Sequence, residues 1–221
     1  TRDMQKGNLA TAEGSKHSAK AERRRRIILD AAAQAFMQKG FAPTSIDDVA
    51  DVLGATKGQI YYYYRSKIDL FFDVHLSAME MDMAAIKSGQ QAHEEPLARL
   101  RAMSEAHLSV IVENFPYQRV AVQSVEMHME GQTTEEQRDR IRHLLKLRDE
   151  YEGLFAQEIS RAMEAGTIPQ QNVKLVVKAF LGALNWTTVW FRPEHSKSAK
   201  ENAALIATIT QFAMQGLGGK T

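Results

Sequence analysis

Five times along this chain a hydroxyl residue stands three positions before an acidic or amide residue, and an apolar-periodic segment follows each time. The five are "TSID" at Thr44, "TKGQ" at Thr56, "SKID" at Ser66, "TTEE" from Thr133 and "SAKE" at Ser198. This is the spelling of a capped helix start: the side-chain oxygen takes an orphan amide of the first turn while the third residue reaches back. Five such starts predict an all-α chain, with helices over about 18–39, 45–52, 56–63, 66–89, 96–114, 117–130, 134–165, 172–192 and 198–216. Pro96, Pro116, Pro169 and Pro193 all fall at the breaks, where a residue without an amide hydrogen does least damage. Alternating strand patterns and internal repeats are absent from the sequence.

Composition narrows the function classes. A chain of 221 residues with 44% hydrophobic and 25% charged residues is long enough for a sizeable core, and with no cysteine it has neither disulfides nor thiolate chemistry. A cytoplasmic location is expected, and no apolar run approaches the ~18–20 residues of a membrane span. Residues 1–72 hold 12 Lys and Arg against 8 Asp and Glu, whereas the remainder holds 16 against 19. The basic excess lies in "KHSAKAERRRR", Lys16 to Arg26, a run that reads either as a solvated helix face or as a polyanion contact. Three regions are expected: a disordered basic arm over 1–16, a helix-turn-helix DNA-binding domain over 17–65, and a larger ligand-binding and dimerisation domain over 66–221.

The segment "TSIDDVADVLGATKGQIYYYY" contains two short helices parted by "LGA", the glycine-bearing turn that a helix-turn-helix requires. An ordinary helical hairpin would use the same turn, but the basic block upstream favours DNA. Residues 44–71, "TSIDDVADVLGATKGQIYYYYRSKIDLF", resemble the TetR family of bacterial repressors, usually spelled close to T-x-x-x-I-A-x-x-A-G-V-S-K-G-x-L-Y-x-H-F-x-S-K-x-x-L. The preceding "IILDAAAQAFMQKGFAPTS" extends the likeness to about 50 residues without a gap. Tyr63 and Tyr64 depart from the usual histidine and phenylalanine, each keeping an aromatic ring.

Helical phase separates the four consecutive tyrosines, because each residue turns the direction by about 100°. With Ile60 inward, Tyr64 is core, Tyr63 lies at the boundary, and Tyr61 and Tyr62 face outward beside Gly58 and Gln59. Phenol hydroxyls donate to phosphate oxygens and their rings pack on sugar and thymine methyl groups, and the resemblance implies operator contacts in this region. Gly58 lets the helix lie close in a major groove, Lys57, Gln59 and Tyr61 reach base edges, and Gln59 suits adenine. Thr44, Thr56, Tyr62 and Lys67 are the expected phosphate contacts, Tyr63 borders them, and Arg23 and Arg24 lead a backbone or minor-groove contact by the arginine run.

Asn172 to Phe191 is apolar almost all round, which with "AALIATITQFAMQGL" predicts half of a four-helix homodimer interface; a central buried helix is the alternative. The resemblance supports the dimer, since the last two helices form it in this family. "LGALNWTTVWFRP" and "LRDEYEGLFAQEISRAMEAGTI" are similar to TetR-type regulators of fatty-acid and steroid catabolism, which release DNA on binding an acyl-CoA thioester. An apolar tunnel would then be lined by Met79, Met83, Met103, Phe115, Met127, Phe155 and Trp186, with Arg148, Arg161 and Arg192 at its mouth for CoA phosphates. Other readings are a repressor of efflux or stress genes answering a drug-like apolar ligand, and an architectural DNA-binding protein with no ligand. The seven histidines form no HExxH pattern, "EMHME" throws His128 away from Glu126 and Glu130, and no P-loop or nucleophile motif occurs. Neither metal, cofactor nor catalysis is expected.

Overall fold

The computed structural model describes residues 2–123, 134–196 and 198–218, with backbone alone for 2–17 and His195. Ten α-helices follow one another among them: α1 (Arg2–Lys39), α2 (Ile46–Leu53), α3 (Lys57–Tyr61), α4 (Lys67–Gln91), α5 (Pro96–Glu113), α6 (Phe115–Ala121), α7 (Glu135–Glu164), α8 (Val173–Asn185), α9 (Thr187–Trp190) and α10 (Ala199–Gln215), with a 3₁₀ turn at Pro193–His195. No strand occurs among the described residues, and none of their helices is long and apolar enough to cross a membrane. The chain divides into two compact units, Thr1–Val74 and His75–Thr221, so the division falls inside α4.

The helix starts follow local hydrogen bonding, with shifts of register. Ser45 rather than Thr44 caps α2: its hydroxyl accepts from the Asp48 amide at 3.1 Å while Asp48 accepts from the Ser45 amide at 2.7 Å. Thr134 closes the same box with Gln137 at the start of α7, one position on from the expected pairing, whose Thr133 lies outside the described residues. Ser66 and Ser198 accept from the amides three residues on at 3.2 Å each, but Thr56 makes no side-chain cap bond. The first helix begins at Arg2, ahead of the expected start near Ser18, and no proline interrupts that stretch. The helix expected over 172–192 is jointed at Trp186, where the Val189 amide bonds the Trp186 carbonyl in an i,i+3 step and the Thr188 hydroxyl donates to Asn185 at 2.8 Å.

In the first unit, Ile28, Ala32 and Phe36 of α1, Val49 of α2, Ile60 of α3 and Leu70 and Phe71 of α4 are wholly out of solvent. Phe36 meets the edge of Phe71 at 5.2 Å. Gly54 adopts φ +66°, and its amide turns back to Ala50 and Asp51, a left-handed close that a side chain would strain. In the second unit the core runs through Leu100, Met103, Leu108 and Ile111 of α5, Phe155 and Ile159 of α7, and Leu184 of α8. Fully buried Glu158 is held by Arg161 at 2.9 Å, Gln90 at 2.8 Å and Arg99 at 3.8 Å.

Where α4 crosses α5, Gly89 rests against bare backbone: a Cβ built there would stand 2.8 Å from the Ala102 carbonyl carbon and oxygen. Backbone cannot swing aside as a side-chain tip does. Gly89→Ala should therefore lower unfolding free energy by about 1–3 kcal/mol in urea titration, against the small gain that alanine brings to an unobstructed helix.

Candidate functional site

The basic run of α1 faces α3 and the turn that follows it across a groove of about 930 Å³, lined by Lys20, Arg23, Arg24, Ile27, Thr56, Gly58, Gln59, Tyr62 and Tyr63. Residues more than 30 positions apart thus form one surface of cations, an amide and phenols. Tyr62 is 81% exposed and Tyr61 51%, while Tyr64 is 4% exposed and Tyr63 intermediate. Tyr62 and Tyr63 meet edge to face at 5.0 Å. Burial pushes the Tyr64 hydroxyl above its ordinary pKa, and Arg25 lies over its ring at 5.4 Å. Arg24 donates to Gln59 Oε1 at 3.1 Å, so the amide hydrogens of Gln59 are the part presented outward. Lys57 and Tyr61 are exposed on α3 but do not line the groove, and Lys57 Nζ sits 3.5 Å from Asp47 Oδ2.

Two expected phosphate contacts have other work. Thr44 is 1% exposed and donates to the Gly40 carbonyl at 2.5 Å, tying down the turn after α1. Lys67 donates to the carbonyls of Phe41 and Ala42 at 2.9 and 3.1 Å and sits 4.3 Å over the Phe41 ring. Partial burial lowers its pKa. Both satisfy a turn whose own carbonyls have no helical partner, a need invisible in residue types alone.

The second unit contains a cavity of about 540 Å³ lined from α4 by Met79 and Asp82, from α5 by His107, from α6 by Gln118, from α7 by Leu145, Arg148 and Tyr151, and from α8 by Lys178, Leu181 and Asn185. Of the ten expected lining residues, Met79 and Arg148 are on it. Met103, Phe115 and Phe155 are core: Phe115 packs on Phe191 at 5.5 Å, and Phe155 on Tyr151 at 5.3 Å. Met83 is half-buried away from the cavity, and Met127 lies outside the described residues. Arg161 is engaged with Glu158, and Arg192 donates to the Val189 and Phe191 carbonyls at 3.0 and 2.8 Å. Trp186 is 62% exposed and belongs to a separate apolar groove of about 500 Å³ with Trp190, Ile209 and Phe212.

What sequence reasoning missed is the polar side of the cavity. The Tyr151 hydroxyl donates to His107 Nδ1 at 2.6 Å, and His107 Nε2 donates to Asn185 Oδ1 at 2.9 Å, the tautomer that gives each nitrogen a role. Burial pushes His107 down to about 4 and keeps it neutral. Asp82 Oδ1 lies 3.8 Å from His107 Nδ1 and has no hydrogen-bond partner. Desolvation, opposed by a bond from Gln118, pushes that carboxyl up to about 8. Among the described residues no cluster of histidine and acidic side chains is arranged to hold a metal ion.

Comparison with known proteins covers both units. Residues 28–74 match the family model described as bacterial regulatory proteins, tetR family, and residues 93–217 match the tetracyclin repressor-like C-terminal domain. AcrR of Shigella flexneri is 33% identical over 82 residues, 37% of this chain and 38% of AcrR, so the chain spans well under half of that relative. The transcriptional repressor KstR2 of Mycobacterium tuberculosis is 22% identical over 188 residues, covering 80% of this chain and 86% of KstR2. The structure of KstR2, a ketosteroid transcriptional regulator, aligns with TM-score 0.76 at 19% identity over 90% of this chain and 96% of its own. AibR in complex with isovaleryl coenzyme A and operator DNA aligns with TM-score 0.67 at 22% identity over 84% of this chain and 97% of its own.

The buried groups set a pH dependence. A raised carboxyl binds its proton more tightly folded than unfolded, so stability falls as pH rises toward about 8; a lowered histidine acts oppositely between about 4 and 6.5. The two slopes oppose each other up to pH 6.5, which leaves the Asp82 contribution alone above it. Unfolding free energy should drop by roughly 1–2 kcal/mol from pH 6.5 to 8, and Asp82→Asn should flatten that slope in urea titrations across the interval.

Proposed function

The chain belongs to the tetR family of bacterial regulatory proteins, and on that premise we propose a transcriptional repressor that grips a near-palindromic operator as a homodimer and releases it when an acyl-CoA thioester enters the cavity of the second unit. The observation that carries the DNA reading is the groove joining Arg23 and Arg24 to Gln59 and Tyr62. Cations there neutralise phosphates on any sequence, and the α3 side chains read base edges. With its carbonyl oxygen engaged by Arg24, Gln59 offers donors, which suit guanine or thymine acceptors as well as adenine N7. A DNA partner in a bacterium implies a cytoplasmic location.

The exposed apolar surface supports the homodimer. Trp186, Trp190, Phe212 and Leu175 are 47–69% exposed, and the first three share one groove on the last long helices. Large aromatics left to water in such a cluster need a cover. For the effector, AibR is known in complex with isovaleryl coenzyme A, and this cavity is of a size for a short acyl group, with Arg148 beside it for CoA phosphates, while Lys178 is held by Glu152 at 2.9 Å. Effector binding would favour a bundle shape that redirects α4, which carries Asp82 and begins in the DNA-binding unit.

In gel shifts on the native operator, Tyr62→Phe should weaken binding similarly on all sequences, whereas Gln59→Ala should change the preferred base at one position per half-site. Unchanged binding by both variants would remove α3 from the interface. Phe212→Glu should weaken dimerisation at least about thirtyfold in sedimentation equilibrium, the cost of losing a central aromatic anchor. Adding acyl-CoA thioesters of two to eight carbons should release operator DNA, and a series with no effect on operator affinity or melting temperature would end the acyl-CoA reading.

A further inference from the structure

The cavity's polar side is a hydrogen-bond chain with one loose end. Tyr151 spends its proton on His107 Nδ1, and His107 spends its own on Asn185. His107 has therefore nothing left to give Asp82, although its Nδ1 is 3.8 Å from Asp82 Oδ1. Asp82 is 5% exposed, lines the cavity, and leaves Oδ1 without a partner. An unmet polar atom in such a place is costly, and a purely hydrocarbon occupant would seal that cost in. A polar occupant would relieve it. Because burial holds the carboxyl at about 8, it is an acid at neutral pH and has an O–H to offer a ligand oxygen. Met79, Ala121, Val122, Leu145 and Leu181 form an apolar part of a wall that is otherwise polar, and that part suits a short carbon skeleton.

We propose that Asp82 is the specificity-determining partner of an oxygen atom on the buried part of the effector, so that the site takes hydroxylated or oxo-bearing acyl groups and rejects saturated chains of equal length. This rests on the cavity being the effector site, but not on the effector being a CoA thioester. Tyr151, His107 and Asn185 are positioning residues whose bonds occupy both ring nitrogens of the histidine and leave Asp82 Oδ1 unspent. A site built to bond an oxygen discriminates more sharply than one built to fit a methylene, because the analogue without the oxygen strands the buried group.

The test is calorimetric titration of the full chain with hexanoyl-CoA and with 3-, 5- and 6-hydroxyhexanoyl-CoA. At least one hydroxylated thioester should bind about tenfold to a hundredfold more tightly than hexanoyl-CoA. Asp82→Leu should abolish that preference, and Asp82→Asn, which still presents a donor and an acceptor in the same shape, should retain most of it. Should Asp82→Leu fail to fold, difference infrared spectroscopy of the native protein reads the same contact, as a shift of the protonated Asp82 carbonyl band on adding the hydroxylated thioester but not hexanoyl-CoA. If no thioester binds, the acyl-CoA reading falls and thermal shifts with cyclohexanol and methylcyclohexane decide the inference. An Asp82-dependent preference for the alcohol upholds it. Equal response to oxygenated and saturated probes, or a preference that survives Asp82→Leu, overturns it and leaves Asp82 Oδ1 to water.

Discussion

A carboxyl taken out of water must either be met by cations or give up its charge, and the helical bundle of the second unit uses both solutions on neighbouring helices. Glu158 is met at one oxygen: Arg161 from its own helix, Arg99 from α5 and Gln90 from α4 converge on Oε1, binding the C-terminal half of α7 to two partners. Asp82 has a bond from the Gln118 amide but no cation, and burial keeps its proton on. The first arrangement fixes the bundle. The second leaves a place in it where something from outside can complete the bonding, and the cavity is found there, along the preceding turns of α7 at Leu145, Arg148 and Tyr151.

The close crossing at Gly89 belongs to the same scheme. With α4 pressed on the backbone of α5 near Ala102, the two helices touch closely two turns beyond Asp82, and the Glu158 cluster draws on Gln90 directly after that contact. Packing is thus tight at one end of the cavity wall and open along it. Local stability in such a bundle is uneven, and the cavity lies beside the more open stretch.

The groove between α1 and the α3 segment was far more legible in the sequence than the cavity. Helical phase sorted Tyr61 to Tyr64 although α3 ends at Tyr61, because the amides of Tyr63 and Tyr64 still bond the Ile60 carbonyl and carry the near-helical turn onward. Thr44 and Lys67 escaped that logic: what decides their roles is the turn after Gly40, whose carbonyls claim one hydroxyl and one ammonium. The cavity draws Asp82, His107, Tyr151 and Asn185 from four helices spread over more than a hundred residues, with no spacing to betray them. Methionine and aromatic residues looked like a lining, yet Met103 and Phe155 are buried core, since the same residue types fill a core as readily as they wall a cavity. The one clue on hand was the placement of polar residues within apolar-periodic stretches, His107 in "AHLSVIV" and Asp82 in "EMDMAAI", a sign of buried polar groups that no motif announces.

The apolar groove on α8, α9 and α10 has one more consequence. The chain has two tryptophans, Trp186 and Trp190, and both stand on that groove, 62% and 47% exposed. Intrinsic indole emission from this protein is therefore a built-in optical gauge of a single face. It reports how wet that surface is, with no background from the DNA-binding unit or from the acid-lined cavity, and without a label attached.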